Sequence, residues 1–226
     1  MVAGWMPAKL DDYDQRYYRD WMHEIPPLTH VFRATTIDVH HNILPRTCKS
    51  CPDAKILLTH LVKIEEQGVW VLSPEDRLIH SAVHLFYEGE LENGFRDIQD
   101  IDLLIREIST CDGFWTDLQN RTIELHQETP VYFALRYASK LLNTPISDQD
   151  IQSMLPEGIG FFQLSFMDFL YMRALLPDHA SCSDHWTPIA RLIIYIRSHW
   201  LKMPLHLLIS HLTRKSWMRL IGKEHH

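Results

Sequence analysis

The change of hydrophobic rhythm near residue 73 constrains this chain more than any other feature. SPEDRLIHSAVHLFYEGE opens with a strong helix start: Ser73 at the cap, Pro74 at the first helical position and Asp76 three residues after the serine. Leu78, Ala82, Leu85 and Phe86 follow at helical spacing. From there the pattern stays helical over 95–109, 112–126, 130–142, 148–154, 160–175, 187–201 and 204–221, punctuated by Pro145, Pro156, Pro177, Pro188 and Pro204. Ahead of residue 73 the pattern is mixed. LTHVFR (28–33) and TTIDVH (35–40) read as strands, either a hairpin about Ala34 or one long bent strand, since no Asn-Gly or Asp-Gly turn separates them. Residues 51–66 read as a helix and 70–73 as a short strand or loop. Residues 11–24 are a helix or an irregular arm, ended by Pro26 and Pro27. The expected class is α+β, with a small β-containing region over 1–72 and a helical domain over 73–226.

Composition narrows the function classes. A chain of 226 residues with 46% hydrophobic and 23% charged residues is long enough for one large domain or two small ones. Its net charge of −7 argues against nucleic-acid binding driven by counterion release. The last 36 residues are the exception, with seven Lys/Arg against one Glu. Four scattered cysteines do not make a disulfide scaffold. No secretory leader opens the chain, and charges interrupt the greasiest segments, so no membrane span is expected and the cytoplasm is the expected compartment.

TTIDVHHNILP (35–45) is the stretch that carries candidate chemistry. On a strand, Thr36, Asp38, His40 and Asn42 share one face, while Ile37, Val39 and His41 share the other. Other constellations compete less well. Cys48 and Cys51 have zinc-knuckle spacing without a second pair, and His80 and His84 share a helix face without the glutamate a metalloprotease needs. GFRDIQDIDLLI (94–105) imitates a paired-carboxylate strand through Asp100 and Asp102. Ile98, Ile101, Leu104 and Ile105, however, form a helical stripe, and Gly89 is followed by Glu90 where a phosphate-gripping turn needs serine. TIELHQ (122–127) imitates such a strand inside another helical run. LISHLTRKSWMRLIGK, near the end, has one basic and one apolar face, as a packed surface helix does.

Taken in order, YDQRYYRDWMHEIPPLTH, IDVHHNILP, LSPEDRLIHSAVHLF and FRDIQDIDLLI resemble a bacterial family of nucleotidyltransferase-like proteins in the DNA polymerase β-type superfamily. The resemblance runs from residue 4 through residue 145 and more loosely beyond. It implies transfer of a nucleoside monophosphate from an NTP to a hydroxyl or phosphate acceptor, with magnesium as cofactor. It makes Asp38 the third acidic residue of the site, a metal ligand that orients or deprotonates the attacking hydroxyl, and His40 a contact to phosphate or substrate. It places Asp100 and Asp102 outside the metal site. Such families also carry a Gly-Ser turn and an Asp-x-Asp pair, which residues 1–34 do not match. A lone carboxylate cannot hold two magnesium ions. The expectation is therefore a truncated or degenerate relative without self-sufficient transfer. The alternative is a non-catalytic module that binds a nucleotide or a protein partner; a missing front portion would also favour self-association through an exposed sheet edge.

Overall fold

A computed structural model describes residues 4–7, 12–89 and 91–202. The front of the chain builds a three-stranded antiparallel sheet in the order β1-β2-β3, from Trp5–Pro7, Leu28–His30 and Thr36–Ile37. Helix α1 (Asp12–Arg16) runs into a π-helical turn, Tyr17–Trp21, between β1 and β2. β2 and β3 are a hairpin. Ala34 adopts a left-handed conformation (φ 51°) in the connection, and His30 secures it by accepting the amides of Phe32 and Arg33 at Nδ1.

The second front unit departs from expectation. Residues 51–66 are not one helix: α2 covers only Ala54–Thr59, and Val62–Ile64 (β4) pairs with Val69–Val71 (β5). Asp53 caps α2 by accepting the Lys55 amide at 2.9 Å. The chain then leaves the helix because Val62, Ile64, Val69 and Val71 prefer a pleated pair. Gly68 (φ +63°) supplies the reversal at no steric cost.

Helix α3 (Pro74–Tyr87) is the axis of the remainder. The Ser73 hydroxyl accepts the Asp76 amide at 3.2 Å, Pro74 occupies the first turn, and Leu78, Ile79, Ala82, Val83, Leu85 and Phe86 are buried. Around it pack α4 (Gly94–Ile108), α5 (Phe114–Glu124), α6 (Glu128–Leu142) and α9 (Thr187–Lys202). α7 (Asp148–Ser153) adjoins α6, and α8 (Phe161–Ala174) packs on α9. Phe86, Phe133, Tyr137 and Tyr171 interlock at the centre with ring centroids 5.1–5.9 Å apart.

Two ion pairs fasten the helices. Arg121 forks onto Asp76 at 2.7 and 2.8 Å, and also donates to Glu124 and to the Ile56 carbonyl, so α3, α5 and α2 meet at one guanidinium. Arg136 forks onto Asp168 at 2.8 and 2.6 Å, with Lys140 on the same carboxylate, tying α6 to α8. The expected α+β class holds: a small antiparallel sheet first, then helices. The helix expected over 204–221, with its basic face, lies outside the described residues.

Candidate functional site

Asp38 follows β3 directly, and its side chain is open to solvent. The reason is a fault in the ladder. Leu28 opposes Ile37, and farther along Glu24 opposes His40. Three residues, Ile25, Pro26 and Pro27, therefore face only two, Asp38 and Val39. That is a β-bulge, and it falls where two prolines can donate no ladder hydrogen bond. Pairing resumes beyond it: the Ile25 amide donates to the Val39 carbonyl at 3.0 Å, and the His41 amide donates to the His23 carbonyl at 2.8 Å.

The same crossing assembles a polar cluster. His40 Nε2 lies 3.4 Å from Glu24 Oε2, and the His40 ring leans on His23 with centroids 4.9 Å apart. His23 is half-buried, and its Nδ1 has no hydrogen-bond partner. Burial, reinforced by His40, Lys202, His41 and His80, lowers its pKa to about 4, so the ring is neutral near pH 7. On α3, the surroundings and then His84 and His40 push His80 downward as well. His23 and Glu24 were visible in the sequence only as part of an aromatic arm. The signal that finds them is the Pro-Pro pair, which forces a bulge opposite IDV and carries MHE back alongside VHH.

The expected apolar face of this strand is not covered among the described residues, because Ile37 and Val39 are both exposed. Asn42, expected beside Asp38 and His40, turns inward instead and donates to the Pro52 carbonyl at 2.8 Å and toward Cys51 Sγ at 3.3 Å. Burial raises the Cys51 thiol to about 11, with Cys48 adding to the effect. Among the described residues, no group of three or more His, Cys, Asp or Glu is placed to hold a metal ion.

The rival carboxylates are structural. Asp100 and Asp102 lie on α4; Asp100 points to solvent, while Asp102 accepts from Arg106 Nε at 2.8 Å and from Thr144 Oγ1 at 2.6 Å. Glu124, in the other imitation, ends α5 and binds Arg121. A depression of about 300 Å³ is lined by His60, Glu75, Asp117, Asn120, Arg121 and Glu124. It includes neither Asp38 nor His40, and its guanidinium is already engaged by Asp76 and Glu124.

A family model described as "Uncharacterised nucleotidyltransferase" matches residues 1–143, more than half of the chain. The chain belongs to this nucleotidyltransferase family. The matched residues span the sheet, the bulge with Asp38, and the helices from α3 through α6. No curated protein and no solved structure matches the chain. None of the helices among the described residues is long and apolar enough to cross a membrane.

Proposed function

We propose that this chain carries part of a nucleotidyl-transfer site, acts in the cytoplasm, and binds an NTP through the exposed face of the β3 segment. The reaction of that site moves a nucleoside monophosphate from the NTP to a hydroxyl or phosphate acceptor. Asp38 is the acidic residue that would orient or deprotonate the acceptor hydroxyl and touch a metal ion, with His40 beside it toward phosphate. The observation that carries the reading is the family match over a segment in which Asp38 stands open to solvent opposite a bulge. Bulges re-aim side chains and are enriched beside active sites.

Magnesium tests the reading from the donor side. Mg²⁺ takes hard oxygen ligands in near-octahedral geometry, and two-metal transfer needs carboxylates bridging ions about 4 Å apart. Asp38 is one such donor, but His40 is a nitrogen ligand already facing Glu24. These residues do not make a complete magnesium site. The chain by itself is accordingly a nucleotide binder rather than a competent transferase. β3 is also an edge strand, which supports completion of the sheet by a partner of a different chain.

Calorimetric titration with ATP and GTP in the presence of Mg²⁺ tests this. Wild type should bind at least one of them, and Asp38→Asn should weaken the magnesium-dependent part of the affinity about tenfold, the loss of one charge-assisted contact. Pyrophosphate release should stay at background for both proteins. Equal affinities for wild type and Asp38→Asn would remove Asp38 from the site.

A further inference from the structure

Helix α9 carries its polarity in reverse. On one side Thr187, Ala190, Ile194 and Ser198 are buried against the protein. On the opposite side, spaced by three and four residues, lie Ile189, Leu192, Ile196 and Trp200, all exposed; Leu192 is 57%, Ile196 56% and Trp200 67% accessible. The helix's three Lys/Arg side chains turn away from that stripe. Arg191 binds Asp178 at 2.7 Å, Arg197 donates to the Phe86 carbonyl and to Tyr171 Oη at 3.1 Å each, and Lys202 binds Glu88 at 3.1 Å. A helix whose outer side faced only water would show the opposite arrangement, with cations outward and aliphatic residues inward.

The stripe continues onto α8. Trp186, exposed at the start of α9, meets the Phe169 ring at 6.0 Å, and Phe162 and Phe166 stand exposed on the preceding turns. At roughly 150–250 Å² for a whole aromatic side chain, this surface presents on the order of 800 Å² of apolar area. That exceeds the roughly 300–600 Å² of the largest patch on a typical monomer, and equals the roughly 800 Å² that one partner contributes to a standard interface.

We propose that the exposed stripe of α9, extended by the phenylalanines of α8, is the interface of a two-fold dimer of this chain. A second copy is the occupant that the chemistry fits. The stripe is apolar and uncharged, so it is complementary to itself, and two-fold contacts pair the same patch from both subunits. A lipid surface would select a helix with cations beside its apolar face, whereas the cations of α9 are bonded inward. The stripe shares no residue with the β3 segment, so substitutions at Leu192 and Ile196 test the dimer without touching the proposed nucleotide contacts.

Light scattering of the full chain across micromolar concentrations is the test, with wild type compared against Leu192→Glu/Ile196→Glu and against Ile37→Lys on the β3 edge. The wild type and Ile37→Lys should both run at twice the chain mass. Leu192→Glu/Ile196→Glu should fall to the single-chain mass with an unchanged far-ultraviolet spectrum, since both positions are exposed. Leu192→Cys should also form a disulfide-linked dimer under mild oxidation, while Thr116→Cys on the exposed side of α5 should not. A wild-type monomer at every concentration overturns the proposal, whether its stripe is bare, covered by residues 203–226 or adsorbed to vesicles. A dimer that survives the double glutamate variant, or one that Ile37→Lys abolishes, also overturns it.

Discussion

The front sheet and the helical region differ in how they hold their residues. Around α3, apolar side chains from four helices close over one another, and the buried Asp76 and part-buried Asp168 carboxylates are matched by forked guanidinium groups. In the β2–β3 segment every residue from Val31 to His41 is exposed, the paired strands are two and three residues long, and order comes from backbone hydrogen bonds around a bulge. One region is fixed by exclusion of water. The other is fixed by a few directional contacts and is left open to solvent. The packed core and the candidate site thus lie in two parts of one chain.

The sharpest way to break this contrast is at Asp76. Asp76→Ala leaves the Arg121 guanidinium buried with only Glu124 and a carbonyl for partners, and should cost about 3–5 kcal/mol in denaturant unfolding. A smaller effect should come from acid and should begin at the front. The unfolded His23 imidazole takes up a proton below its ordinary pKa of 6.5, whereas the folded one resists until about 4. The contribution of neutral His23 is therefore complete above pH 6.5 and is lost as the pH falls toward 4. His40, Lys202, His41 and His80 face His23 and add to the effect of burial in disfavouring its protonated form, while the Glu24 carboxylate pairs with His40. Hydrogen exchange should quicken at the Ile25 and His41 amides before it quickens in α3, and His23→Gln should flatten the pH dependence. The smallest effect belongs to Ile37→Thr. That side chain is exposed, so the melting free energy should move by no more than about 0.5 kcal/mol. A loss of several kcal/mol there would mean that the front sheet has a covered face after all.

The helical region was legible because its information is local and repeated. Ser73 and Pro74 set the start of α3, and Ile98, Ile101 and Ile105 fixed the buried side of α4 well enough to demote Asp100 and Asp102 from a metal pair to helix residues. The class followed from the same reading, the hairpin about Ala34 was one of two strand arrangements left open, and the family came from the resemblance of four ordered segments. What stayed hidden was non-local or short. β4 and β5 are three residues each, too brief for a period of two to outweigh the helical look of KILLTHLVKI. The Asp76–Arg121 pair joins residues 45 apart with no pattern linking them. At the candidate site, strand alternation put Asp38 and His40 on one face, but Glu24 and His23 arrive from the other side of a bulge whose offset no alternation rule anticipates.

That offset has a consequence for how the chain tolerates change. Counting back from Leu28 in twos, Glu24 belongs on the face of Leu28 and Ile37. The extra residue among 25–27 shifts the count by one, so Glu24 meets His40 and shares the face on which Asp38 lies. Surface segments ordinarily absorb single-residue insertions and deletions without harm. Here the loss of one proline would put the two strand segments back in step and carry Glu24 to the opposite side, which makes Ile25–Pro27 a stretch whose length, more than its composition, is under constraint.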